Sequence, residues 1–162
     1  MNNEIINQND FDKNFRINLI IFYALLSAQL LFLIIILIIV RQSNSTASEL
    51  DKSLIVVIPL FGLLMMYLSR MIYRQSISKF DSNKSLFEKL NFYRTFKIIS
   101  WAQVEAASLF SLIAFLLTSN YLYVYVFVFL IGYFIMLRPS KETFIKDMRL
   151  TDNEINIVLK RA

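Results

Sequence analysis

The 162-residue chain contains no cysteine and no histidine. Without cysteine there can be no disulfide, no thiol nucleophile and no thiolate zinc site. Without histidine the usual proton shuttle and the commonest metal ligand are both missing. Two glycines and two prolines exclude a low-complexity or collagen-like chain, and no Gly-rich phosphate loop is present. Charge is also scarce. Charged residues make up 18% of the chain and hydrophobic ones 57%, whereas soluble domains run near about 25% and about 45–50%. These absences together exclude an ordinary soluble domain and most catalytic constellations.

What the chain does have is four long apolar runs. Residues 17–40 and 121–137 carry no charge, 54–69 carry none and can extend past Arg70 to Tyr73, and 98–118 hold a single charge, Glu105. A hydrocarbon core of about 30 Å takes about 20 residues of helix. The reading is an all-α integral membrane protein with four transmembrane helices, at about 15–40, 54–73, 98–118 and 121–137. Residues 1–162 form one four-helix membrane domain in this reading. The first run is too long for a signal peptide, and the segment before it has three acids and two bases, so it is expected to be a retained span. In the fourth run, YLYVYVFVF alternates like a strand. An open strand in lipid would leave its backbone groups unpaired, so a helix is expected. On that helix Tyr121, Tyr125, Phe129 and Tyr133 form one arc and Tyr123, Phe127 and Phe134 another, both read as packing faces rather than a cofactor box.

Basic residues set the orientation. Fifteen of the seventeen fall in the N-terminal segment, the middle connection and the tail; only Arg41 and Lys52 lie on the other side. The positive-inside rule then places both termini and the middle loop in the cytoplasm. The excess of base is a topology signal that also meets anionic lipid, and no nucleic-acid partner is expected. The sequon Asn44-Ser45-Thr46 falls on the outer side and is read as a chance occurrence in a polar loop.

Outside the bilayer, residues 1–14 are polar and expected to be mobile. Within 75–97, Ser85-Leu86-Phe87-Glu88 fits a capping box, from which a helix can run straight into the third span. The tail, 138–162, has Pro139 as a stop for the fourth helix, Ser140 as a cap for a short helix through Arg149, and a second capping box at Thr151-Asp152-Asn153-Glu154. That box opens a helix with Ile155, Val158 and Leu159 as its apolar face. These short helices are expected on the membrane surface or over the end of the bundle.

The site candidates are polar residues inside the spans. Glu105 is the only ionisable group deep in a span, and such groups are costly and functional by default. Arg70 is the expected counter-charge, with Trp101 stacked on its guanidinium. On helix three, Ser100, Gln103, Ala107, Ser111, Ala114 and Thr118 fall on one side, the small and polar lining of close helix contacts. Glu105 falls on the other side with Trp101 and Ser108. Either both sides are covered within the bundle, or Glu105 meets a second copy of the chain or another membrane protein. Asn18 and Gln29 on helix one share the spacing of Ser100 and Ser111. Helices one and three are therefore expected to be neighbours, with Asn18 near Ser100 and Gln29 near Ser111. Helix two carries Pro59 and Gly62, where a bend is expected. No catalytic residue, cofactor or metal site is identified.

Residues 101–120 (WAQVEAASLFSLIAFLLTSN) and 137–150 (LRPSKETFIKDMRL) together resemble a family of small four-span membrane proteins from Bacteroidota with no assigned activity. In such relatives a Glu matching Glu105 and an Arg-Pro-Ser-Lys stretch matching Arg138 to Lys141 recur. The resemblance implies a bacterial inner-membrane protein and transfers no catalytic residues. The functional expectation is a non-enzymatic scaffold or accessory subunit acting through helix packing. The alternative is a small transporter or ion-translocating protein with Glu105 as its charge carrier.

Overall fold

The computed structural model describes residues 8–42, 49–81 and 84–159. The sequon and the extreme ends of both terminal segments lie outside the described residues. Six helices follow in order: α1 (Gln8–Gln42), α2 (Glu49–Ser78), α3 (Leu86–Thr118), α4 (Leu122–Met136), α5 (Lys141–Met148) and α6 (Asp152–Leu159). Among the described residues, α1, α2 and α3 are long and apolar enough to cross a membrane. Helix α4 has only 15 residues and is followed by α5 after a 70° bend; that pair would make a fourth span. The alternating aromatic run is helical, as expected for a chain with no partner strand to satisfy its backbone.

The helix ends follow their sequence signals. The Ser85 hydroxyl accepts from the Glu88 amide at 3.4 Å and the Glu88 carboxylate accepts from the Ser85 amide at 3.1 Å, completing the expected box. From there α3 runs 33 residues without a break, about 50 Å at 1.5 Å per residue, so its first three turns project beyond the apolar stretch. Ser119 closes it in the left-handed region (φ 55°), and the Asn120 side chain accepts from the Leu122 amide to start α4. Pro139 and the Ser140 cap (from the Thr143 amide, 3.1 Å) turn the chain into α5. The Glu154 carboxylate accepts from the Thr151 amide at 2.8 Å and from its hydroxyl at 3.0 Å, one arm of the second expected box.

Helix α3 is the axis of the bundle, and α1, α2 and α4 all pack on it. Three layers of apolar side chains stack along it. At the basic end, Phe11, Phe15, Leu90, Tyr93, Phe144, Met148 and Val158 form one cluster. Phe22, Trp101, Val104 and Phe134 form the middle, with Phe22 stacked on Phe134 at 5.0 Å. Ile36, Ile58, Leu112, Phe115, Tyr123 and Phe127 fill the far end. The two arcs of α4 separate except at Tyr133, which is half-buried with its hydroxyl on the Met66 carbonyl. Tyr123, Phe127 and Phe134 are buried, whereas Tyr121, Tyr125 and Phe129 are exposed. The exposed arc joins Ile20, Leu31, Ile34, Val56, Leu60, Leu63 and Tyr67 in an apolar outer surface, far larger than a soluble monomer shows.

Two expectations need correction. Residues 8–14 are not a mobile leader but the first turns of α1. Phe11 is fully buried against Phe144 (5.6 Å), and Asp12 pairs with Lys141 at 2.6 Å; the short tail helices supply a surface that a lone N-terminal segment lacks. Helix α2 is also longer than the expected 54–73, running through Pro59 without a break from Glu49 to Ser78. Gly62 faces α4, where a Cβ would make ordinary contact with the Leu130 side chain at 3.5 Å.

Candidate functional site

The polar residues inside the spans tie helices together rather than gathering at one centre. Gln29 accepts a short 2.5 Å bond from the Ser108 hydroxyl. Ser100 and Ser69 each donate to the other's carbonyl, at 3.3 and 3.2 Å, locking α3 to α2. Ser111 donates to the Tyr123 carbonyl of α4. At the far end Asp51 accepts from Tyr123 (2.7 Å) and from Asn120 (2.9 Å).

Helices α1 and α3 are neighbours as expected, but in another register. Asn18 lies beside Arg94, whose Nε donates to Asn18 Oδ1 at 2.7 Å while Nη2 donates to the Asn14 carbonyl at 2.7 Å. Gln29 meets Ser108, one turn before Ser111. Heights counted from the ends of the apolar runs mislead here, because both helices continue beyond those runs and Arg94 sets their alignment there. Bonds of this kind average only about 0.6 kcal/mol in lipid. Gln29→Leu is therefore expected to lower stability by no more than about 1 kcal/mol, measured by denaturant unfolding in detergent; a loss several times larger would mean that Gln29 anchors more than register.

The proposed trio of Glu105, Arg70 and Trp101 is not assembled. Arg70 follows Ser69, and α2 packs on the Ser100 side of α3. Glu105 lies five residues on from Ser100, about 140° around the helix, so the two charges face different directions. Among the described residues the Glu105 carboxylate has no hydrogen bond or ion pair. Trp101 is fully buried; its Nε1 donates to the Leu137 carbonyl at 3.2 Å and Phe22 meets it edge-on at 5.5 Å. The stripe of Ser100, Ala107, Ser111, Ala114 and Thr118 is buried, and so are Trp101, Ser108 and Leu112 on the other side. The bundle thus covers α3 on both sides but not all round: Glu105 is left half-buried at the edge of an exposed strip that contains Ala102, Ala106 and Phe110.

The structure gathers a second group that sequence reasoning missed. A cavity of about 320 Å³ opens at the basic end between α2, α3, α4 and α5, bordered by Ser69, Arg70, Arg74, Lys97, Tyr133 and Asp147 among others. Lys97 is only 6% exposed. Its ammonium sits 4.6 Å from the Tyr73 ring and 5.4 Å from the Tyr93 ring, the cation–π arrangement of a partly desolvated base. The Tyr73 hydroxyl donates to Asp147 of α5 at 2.5 Å. About two turns toward the tip of α3, Lys89 is 1% exposed and its ammonium meets both oxygens of Glu154 at 2.8 Å. A signal for these bases exists in the sequence. Lys89, Tyr93, Lys97 and Ser100 fall at helical spacing and all are buried, so the inward face of α3 continues beyond the apolar run.

Among the described residues no group of three or more acidic side chains could hold a metal ion. The chain matches no protein-family model, no curated protein and no solved structure.

Proposed function

We propose that this chain is a multi-pass protein of a bacterial inner membrane, with both termini and the middle loop in the cytoplasm. In this reading it is a non-enzymatic scaffold or accessory subunit that acts through transmembrane helix packing. Three long apolar helices, the exposed apolar surface and the concentration of base at one end support membrane insertion in that orientation. The observation that carries the functional reading is Glu105. It is half-buried and unpaired, and Ala102 and Ala106 beside it are exposed. Small residues let a second helix approach closely, and a carboxyl at that depth gives such a helix a hydrogen-bond partner. The partner is either a second copy of the chain or another membrane protein.

A photo-crosslinking side chain at position 105, activated in native membranes, is expected to yield a product heavier than the monomer. Recovery of intramolecular products alone would refute the reading. Glu105→Gln separates it from ion translocation. Loss of the crosslinked partner with unchanged flux supports the scaffold; loss of a pH-dependent flux with intact assembly supports a transporter.

A further inference from the structure

We propose that the crevice between α2 and α4 at the basic end binds the phosphate headgroup of an anionic phospholipid. The inference rests on the reading of the chain as membrane-spanning, but uses none of the contacts invoked at Glu105.

The first argument is an inventory of hydrogen-bonding groups. The Ser69 and Ser100 hydroxyls are spent on each other's backbones. The Tyr133 hydroxyl is spent on the Met66 carbonyl, and that of Tyr73 on Asp147. Thr143 is engaged with Ser140. The donors left over all belong to cations: Arg70 and Arg74 at the mouth, and Lys97 within. No carboxylate lies within 4 Å of any of the three among the described residues. Three cations face one carboxylate, Asp147, and that carboxylate already accepts from a tyrosine. A site with only cationic donors to spare selects an anion, and a phosphate offers several acceptor oxygens to two guanidinium forks and one ammonium.

The second argument is depth. Arg70 directly follows the uncharged stretch 54–69, so the cations stand where the hydrocarbon ends and headgroups begin. Basic pockets between transmembrane helices at this level are a recurring headgroup site. The third is the shape of the seam. Met136 at the crevice is 81% exposed, so the opening is lateral as well as axial. Beyond the Tyr133–Met66 bond the same α2–α4 seam reopens as an apolar groove lined by Ile55, Pro59, Leu63, Tyr125 and Phe129. A free phosphate would use only the cations. A phospholipid also uses the apolar seam, along which an acyl chain can lie.

The test uses the full chain, delipidated in mild detergent and titrated with phosphatidylglycerol or phosphatidylcholine under native mass spectrometry. A saturable one-to-one phosphatidylglycerol adduct is expected, with phosphatidylcholine binding far more weakly. Both arginines are exposed and form no ion pair among the described residues, so Arg70→Gln/Arg74→Gln should fold. It is expected to weaken the adduct by about fivefold per arginine, the usual worth of one base against an anionic headgroup. Lys79→Gln, at the same end but outside the crevice, should change nothing. Equal binding by the double variant, or equal binding of the two lipids, would overturn the proposal. So would displacement of the lipid by millimolar inorganic phosphate, which would assign the crevice to a free anion. A carbonate wash of the chain in phosphatidylcholine vesicles checks insertion separately: a chain that washes off removes the membrane reading itself, whereas one that stays while the variants bind normally removes only this site.

Discussion

Replacing Glu154 by leucine is expected to destabilise the protein by about 3–5 kcal/mol, while Lys89→Met costs much less. The asymmetry follows from where each partner sits. Lys89 is in the wall of α3 with 1% of its side chain exposed, whereas Glu154 retains 17%. Without the carboxylate, an ammonium is left buried with no counter-charge. Without the ammonium, the carboxylate still accepts from the Thr151 amide and hydroxyl at the start of α6 and still meets water. The double change Lys89→Met/Glu154→Leu should recover most of the loss, short of about 1 kcal/mol for the missing cap. Trp101 is the only tryptophan, so its fluorescence during denaturant titration in detergent reports these differences. Equal losses for the two single variants would show that the pair is not desolvated.

The same carboxylate gives the tail a pH dependence. Burial pushes the Glu154 carboxyl up, but the bonds from Lys89 and Thr151 outweigh it and hold the group below the usual carboxylate range. A depressed folded-state value means that its contribution is complete above the unfolded carboxyl's pKa and is lost as pH falls through the folded one. Limited proteolysis of α6 should therefore accelerate on acidification below the ordinary carboxylate range and stay flat from there to neutrality.

The second large effect is expected at Trp101. Trp101→Ala empties the middle layer between Phe22, Val104 and Phe134, at about 3–5 kcal/mol. It also leaves the Leu137 carbonyl without its indole donor, where the chain prepares its 70° turn into α5. Trp101→Phe restores most of the volume but not the donor, so it should recover most of the stability. If Trp101→Phe were as damaging as Trp101→Ala, the hydrogen bond and not the packing would be the dominant role. Circular dichroism during thermal unfolding in detergent distinguishes these outcomes.

The apolar runs, the helix starts at Ser85 and Thr151 and the stop at Pro139 were legible because each rests on local periodicity or local backbone chemistry, and the adjacency of α1 and α3 was legible from matching polar positions. The split of α4 into a buried and an exposed arc was half legible: the wheel separates Tyr123 from Tyr125, but it does not say which arc meets α3. What stayed hidden depends on contacts across long sequence separations. Arg70 and Glu105 look like a pair by height, yet height says nothing about azimuth, and Ser69–Ser100 turns α2 away from Glu105. Lys89 and Lys97 read as solvated topology charges until α5 and α6 fold back over them. Their burial is decided by the tail, more than forty residues later, and no window over α3 contains that information.

The cluster at the basic end draws Phe11 and Phe15 from the first helix, Leu90 and Tyr93 from the third, and Phe144, Met148 and Val158 from the last two. It therefore joins segments that lie far apart along the chain. Without the two short helices, the aromatic rings of the early segments would lie uncovered and Lys89 would have no counter-ion. Unfastening either short helix is therefore expected to loosen the start of α1 as well, so that segments at opposite ends of the described chain stand or fall together.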